Sequence, residues 1–322
     1  MTDLLVIVWS DIPTDQILML DNYLKKNYKD FVVKYYGMMQ HKNLGLDVFV
    51  RENNVKNMLI WHRGCITEEI INSIRPYLSK IILFNWDALY LNTKKTPNFD
   101  KNSIKYLDCV FITSYDIDNY YISNGAKKWF YLLPPYSQEI HHPLSEIDKT
   151  YECDISFCFT NIYEDFDIQN INRKDFLIEL MKAADNYNWN LGLYTSERYK
   201  TFCGKYYRGY IDYDNTHKLF YSSKINISIH GANLDHYINE RCILVMASGG
   251  LLLVDSVEGI RDSLKDGAVI MKNKISDIMY QIKDILENYD KYSIFKERAL
   301  DIVKEYNISN WWNKIYAEID KN

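Results

Sequence analysis

The sequence predicts an α/β chain built as two doubly wound, Rossmann-like domains facing across a cleft. Three observations carry that expectation. Apolar runs of strand length alternate with helical-period stretches from one end of the chain to the other, which is the pattern of parallel βα units. Pro134-Pro135, then Pro143 in a polar stretch reaching Thr150, interrupts the alternation once, near the middle. The length, 322 residues, suffices for two domains that each bury a core.

In the first half the predicted strands are residues 4–9, 31–36, 58–61, 81–84, 109–113 and 129–132, several apolar throughout, as strands buried on both faces should be. Helical patterns lie between them at 14–26, 67–78 and 116–124, the last stopped by Gly125. Thr67-Glu68-Glu69 reads as a helix start with carboxylates on the positive dipole end. The second series predicts strands at 154–159, 191–194, 225–229, 251–254 and 268–271, with helices at 173–187, 214–221, 237–247, 257–264 and 276–286. From 292 to 319 the chain is helical with an apolar face made by Trp311, Trp312, Ile315 and Tyr316. The expected division is 1–140, 141–300 and a closing helix over 301–322.

The net charge of −5 argues against a general polyanion binder, so nucleic acid is not an expected partner and any phosphate site must be local. The six cysteines include no C-x-x-C pair and no array with nearby histidines, which reads as reduced thiols in a cytoplasmic protein without a metal. Met1 runs straight into an apolar strand, and no apolar run approaches about 18 residues, so no membrane span is expected.

Lys224 to Gly250 is the most informative stretch. A short strand runs into the loop His230-Gly231-Ala232-Asn233, an amphipathic helix opens near Tyr237, and Gly249-Gly250, which face a ligand or make only a tight helix-to-strand turn, precede the next strand. The free N–H groups and positive dipole end of such a helix suit an anion. Arg241, accompanied by Asn239 and Glu240, is the first choice for a diphosphate contact, since guanidinium grips phosphate oxygens bidentately. An i,i+4 surface pair is the plainer reading. Arg173, opening the helix after strand 154–159, is a second candidate, against a solvated helix residue. His230 stands where an imidazole donates to a leaving phosphate, or is a satisfied loop residue. Asp255 caps the next helix or holds a hydroxyl or a neighbouring N–H. His62 and Asp87 follow strands of the first half and are candidates to touch the acceptor or act as base, against structural roles. Asp212-Tyr213-Asp214 has D-x-D spacing but sits at a helix start, so no metal is expected.

Asn239-Glu240-Arg241, with Ala247-Ser248-Gly249-Gly250 at the end of the same helix and an apolar strand ending in Asp255, resembles the C-terminal domain of CgeB-like glycosyltransferases. The resemblance extends upstream through Tyr207-Arg208-Gly209-Tyr210 and Asp154 to Phe157, and downstream to about Trp312. In the first half Leu59-Ile60-Trp61-His62, Asn85-Trp86-Asp87 and Ala126 to Pro134 follow the family's order with commoner residues. It implies a GT-B fold whose last helix returns to the N-terminal domain. It also implies transfer of a sugar from a UDP- or GDP-sugar to a hydroxyl acceptor, metal-independent and retaining, with no further cofactor. Arg208 and Tyr210 would lie beside the base, and Ser248, Gly249 and Gly250 with Asn239, Glu240 and Arg241 would face the donor.

Two departures from the family pattern stand out. Leu244 occupies the place of the Glu that binds the donor ribose, with Glu240 one turn earlier on the same face. Phe159-Thr160-Asn161 stands where a glycine usually follows the first strand of this domain. A non-catalytic sugar-nucleotide or glycan-binding protein, and a sugar-nucleotide epimerase, are the alternatives that these departures leave open.

Overall fold

The fold is read from a computed structural model, which describes residues 2–8, 15–28, 31–37, 45–61, 66–85, 101–115, 118–162 and 171–320. Two compact units divide the chain: residues 1–134 with 308–322, and residues 135–307.

The first unit carries β1 (Thr2–Val8), α1 (Asp15–Asn27), β2 (Phe31–Gly37), α2 (Leu46–Glu52), β3 (Asn57–Ile60), α3 (Glu68–Ile74), β4 (Lys80–Asn85), β5 (Cys109–Ile112), α4 (Asp118–Ser123) and β6 (Trp129–Tyr131). All six strands are parallel, in the order β2-β1-β3-β4-β5-β6. The period-2 alternation of side chains divides its core in two. Met58, Ile60, Ile81, Leu83, Val110 and Ile112 pack with Val50, Ile71 and Ile74 on one face. Leu59, Ile82, Phe84 and Phe111 pack with Ile17, Leu20 and Leu24 on the other. Thr67 caps α3 as the sequence predicts, its Oγ1 accepting from the Ile70 N–H at 3.3 Å.

The last helix, α12 (Ile308–Ile319), belongs to this unit. Trp311 sits 4.9 Å from the ring of Trp61 and 5.0 Å from that of Phe84, nearly perpendicular to the latter. Trp311 and Trp312 are fully buried, so the apolar stripe at the end of the sequence is a core component.

The second unit runs β7 (Cys153–Cys158), α5 (Arg173–Tyr187), β8 (Leu191–Tyr194), α6 (Lys200–Cys203), β9 (Tyr207–Gly209), α7 (Thr216–Ser222), β10 (Ser223–Ser228), α8 (Glu240–Ala247), β11 (Leu252–Val254), α9 (Ile260–Leu264), β12 (Val269–Ile270), α10 (Ile275–Glu287) and α11 (Tyr289–Ile302). Its six parallel strands lie in the order β12-β11-β10-β7-β8-β9. Counted from the first strand of the unit this is 3-2-1-4-5-6, the doubly wound order, with its switch point between β7 and β10. Each unit is thus a doubly wound parallel sheet, and the chain has the two-domain GT-B fold. Helix α8 starts three residues later than its periodicity predicts, because Asn239 caps it there. β9 is a three-residue strand that the sequence reading leaves as a connecting segment.

Candidate functional site

At the switch point of the second sheet, neighbouring strands send their following helices to opposite faces, and the carboxyl ends of β7 and β10 border a crevice where ligands of such sheets bind. Two segments form its lips: Phe159-Thr160-Asn161 after β7, and Ile229 to Asn233 after β10. Arg173, the first residue of α5 and 3% exposed, ties them together. Its Nη1 donates to the Asn161 carbonyl and its Nη2 to the Ile229 carbonyl, both at 2.5 Å. A guanidinium so placed shapes the crevice through main-chain contacts, and these two donors point at carbonyls instead of outward.

Above the crevice, α8 begins. Asn239 is its cap: the side-chain oxygen accepts from the Cys242 N–H at 3.3 Å, and the amide pairs with Ser228 Oγ at the end of β10. The cap fixes the helix N-terminus over the strand end, so Asn239 acts on the site through the helix it orients. Glu240 and Arg241 follow in the first turn, both half-buried. Arg241 makes no hydrogen bond or ion pair with any described residue. Its charge reaches Cys158, the last residue of β7: burial pushes that thiol up to about 12, with Arg241 pulling the other way. The guanidinium therefore lies toward the end of β7, half-buried and unneutralised. The N–H groups of Gly231, Ala232 and Asn233 likewise donate to no described residue. Oriented main-chain N–H groups, a helix N-terminus and an unpaired guanidinium make an anion site.

His230 follows the loop-residue reading. Its side chain has no exposed surface, and one oxygen of Asp255, itself 1% exposed, accepts both its main-chain N–H at 3.0 Å and its ring Nδ1–H at 2.6 Å. Burial alone would lower the imidazole pKa, but the Asp255 carboxylate, aided by Cys242, raises it above the ordinary 6.5. Nε2 is buried with no hydrogen-bond partner. The ring is turned inward and held by Asp255, so in this conformation it pins the loop without presenting a nitrogen to a ligand. Asp255 takes the neighbouring N–H, one of its expected roles.

The glycine pair follows the turn reading. Ser248 Oγ returns to the Leu244 carbonyl at 2.7 Å, the Gly249 N–H bonds to the Met246 carbonyl and the Gly250 N–H to the Val245 carbonyl, closing α8 in a Schellman motif. Gly249 has φ +74°, and a Cβ at Gly250 would lie 2.5 Å from the Phe220 carbonyl oxygen and 2.7 Å from Asn226 Nδ2. Ser248, Gly249 and Gly250 thus stand at the amino end of β11, a helix length from the crevice, and their small size serves packing. Arg208 is exposed on β9, with Nη2 3.4 Å from Asn190 Oδ1 at the start of β8. Tyr210, 70% exposed, follows the carboxyl end of β9. His62 and Asp87 lie outside the described residues.

Sequence reasoning missed two residues at the crevice edge. Thr195 and Ser196 follow β8, which borders β7. Both hydroxyl oxygens are buried without a hydrogen-bond partner, and Ser196 is the N-cap residue of a helical turn whose side chain does not cap. An unpartnered buried hydroxyl costs about 1–3 kcal/mol, which makes the pair a candidate contact for a polar ligand group. The S-E sequence after a strand was the only available signal, and it reads as an ordinary cap.

Among the described residues, no group of three or more His, Cys, Asp or Glu side chains could hold a metal ion. No helix among them is long and apolar enough to cross a membrane.

Among curated proteins none matches the sequence. Solved structures are similar over the full length: Anabaena HepE in complex with UDP and glucose has 10% identity and a TM-score of 0.67 over 99% of each chain. Sucrose-phosphate synthase from Thermosynechococcus elongatus has 9% identity and a TM-score of 0.69 over 99% of each chain. A glycosyltransferase from Rickettsia africae has 12% identity and a TM-score of 0.67 over 100% of this chain and 99% of that one. Residues 173–317, just under half of the chain and including Arg173, His230, Asn239, Arg241 and Asp255, match the model of the glycosyl transferase-like family.

Proposed function

We propose that this protein transfers a hexose from a nucleotide diphosphate sugar, UDP- or GDP-linked, to a hydroxyl acceptor, as a cytoplasmic, metal-independent and retaining enzyme of the CgeB-like type. The observation that carries the reading is Arg241: a half-buried guanidinium, unpaired among the described residues, beside free N–H groups at the switch point of a doubly wound sheet. It lies inside the segment that matches the glycosyl transferase-like model, and HepE, similar in fold, has been solved with UDP and with UDP-glucose.

In the reaction the bond between the anomeric carbon and the diphosphate oxygen breaks, the acceptor oxygen bonds to that carbon, and its proton passes to the departing diphosphate. The charge that develops on the diphosphate meets Arg241, the N–H groups of 231–233 and the positive end of α8. Arg173, Asn239 and the His230–Asp255 pair hold these elements in place. Thr195, Ser196 and Tyr210 extend the site toward the base, and Glu240 toward the ribose.

One observation favours a second reading. Leu244 is 5% exposed, so the helix face that carries a ribose-binding Glu in related enzymes is apolar core here. A non-catalytic sugar-nucleotide-binding protein would tolerate this. Calorimetric titration with UDP, GDP, UDP-glucose and GDP-mannose, followed by assay of nucleotide release with and without a panel of glycosides, separates the readings. The transferase reading expects acceptor-dependent release that EDTA leaves unchanged. Binding without release or transfer would establish the second, and absence of any nucleotide binding would defeat both.

A further inference from the structure

A second crevice opens in the same unit, between the carboxyl ends of β11 and β12. It has a volume of about 440 Å³ and is lined by Ser256, Arg261, Asp262, Met271, Lys272 and Asn273. Its walls are fixed from below. Gln281 accepts from the Lys272 N–H at 3.0 Å and donates to the Ile270 carbonyl at 2.9 Å, clamping the end of β12. On the opposite wall the His236 ring packs against the bare face of Gly259, and its Nε2 lies 3.1 Å from Asp262 Oδ2.

The two cations of this crevice have no carboxylate partner of their own. Several exposed cations of the unit have carboxylate partners, among them Lys265 with Glu305, Lys283 with Glu287, Arg298 with Asp266 and Lys304 with Asp301. Arg261 and Lys272 are exposed and form no hydrogen bond or ion pair through their side chains with any described residue, and the one carboxylate beside them, Asp262, turns to His236. Two cations with a shared counter-charge face a space of the size that small-ligand sites occupy. The crevice begins at Ser256, the residue after Asp255, and so adjoins the β10 loop on the side away from β8 and β9.

We infer that this crevice is a subsite for an anionic group carried on a sugar, a carboxylate or a phosphate, held by Arg261 and Lys272. The inference rests on the nucleotide-sugar reading of the adjoining site. The group has two possible sources, an acidic sugar on the donor or a phosphate on the acceptor.

The test compares the full chain with the Arg261→Gln/Lys272→Gln double variant in calorimetric titrations with UDP, UDP-glucose, UDP-glucuronic acid and, separately, glucose 6-phosphate. A donor-side acid predicts that UDP-glucuronic acid binds on the order of fivefold tighter than UDP-glucose, the scale of one partly screened ion pair, and that the variant abolishes the difference. An acceptor-side phosphate predicts that glucose 6-phosphate binds the wild type and is lost in the variant, with UDP affinity unchanged. Equal affinity for both donors with no glucose 6-phosphate binding, or a preference that survives in the variant, overturns the subsite. UDP failing to bind the wild type identifies the parent reading as the one at fault.

Discussion

The two edges of the second sheet treat their polar groups in opposite ways. At the amino edge they are matched: Ser248 returns to its own helix, Asn226 Nδ2 bonds to the Phe220 carbonyl at 2.8 Å, Ser223 Oγ to the Leu219 carbonyl at 2.8 Å, and Lys224 pairs with Asp154 at 2.8 Å. At the carboxyl edge Arg241, the N–H groups of 231–233, the Thr195 and Ser196 hydroxyls and His230 Nε2 have no partner among the described residues. One fold, with one kind of strand and helix, leaves polarity unmet on the side where its topology opens a crevice. That asymmetry locates the site more sharply than the glycines do. At the start of α7, Nδ1 of His141 and of His217 are also buried without partners. His141 Nε2 lies 3.0 Å from Thr216 Oγ1, and burial, with His217 and His142 nearby, brings the His141 pKa down to about 3, so the group is neutral there.

The largest test of this contrast is Asp255. It belongs to the carboxyl edge, yet it is fully engaged, and Asp255→Ala leaves His230 buried without its counter-ion. We expect a loss of about 3–5 kcal/mol in unfolding free energy. The pH dependence has a definite sign. Because the folded His230 pKa is raised above 6.5, its contribution is fully present below that value and is lost as pH rises through the folded pKa. The gap between wild type and Asp255→Asn in denaturant melts should therefore be widest near about pH 5–6 and narrow toward alkaline pH. A gap that does not change with pH would mean that the buried imidazole is neutral.

Next in size is Arg241→Ala. It should weaken UDP binding by about 1.5–3 kcal/mol, the worth of a charged hydrogen bond in a partly buried site, while unfolding free energy stays within about 0.5 kcal/mol. Affinity unchanged in calorimetry, with the variant folded, would return Arg241 to an ordinary surface residue.

Gly250→Ala probes the matched edge. The added methyl meets a main-chain carbonyl and a buried amide that cannot retreat, so we expect about 1–3 kcal/mol of destabilisation with UDP affinity unaltered. A variant of normal stability and weakened affinity would place the glycines at the ligand after all.

These tests fall where the sequence was least informative. Strand and helix alternation is visible in the sequence because parallel strands buried on both faces read as unbroken apolar runs, as Met58 to Ile60 and Leu191 to Leu193 do. Arg241 could be singled out because a charge in the first turn of an otherwise apolar helix stands out. The pairing of His230 with Asp255, 25 residues apart, and of Arg173 with the Ile229 carbonyl, 56 apart, depends on strand order, which local pattern does not encode. Gly249 and Gly250 read as ligand-facing because glycine marks both close ligand approach and helix ends, and only the neighbours at Phe220 and Asn226 separate the two. Thr195 and Ser196 were invisible for the same reason: their sequence is that of a cap, and their missing bonds exist only in three dimensions.

The smallest effect concerns Glu240. Leu244 is buried in the helix core, so any contact from this face of α8 to a ribose must come from one turn earlier, where Glu240 is half-buried beside Arg241. A carboxylate accepts from both ribose hydroxyls, and removing its charge weakens those bonds by about 1 kcal/mol. We therefore expect Glu240→Gln to reduce UDP affinity roughly fivefold, the equilibrium equivalent of that energy, and to leave 2′,3′-dideoxy-UDP, which has neither hydroxyl, nearly unaffected. The two ligands share base and diphosphate, so their difference isolates the hydroxyl contact from general effects on the helix N-terminus, where loss of a negative charge acts on both alike. Equal losses for the two nucleotides would show that Glu240 serves only the helix dipole. The ribose would then lack a carboxylate from α8, and the binding-protein reading would gain the ground that the transferase reading loses.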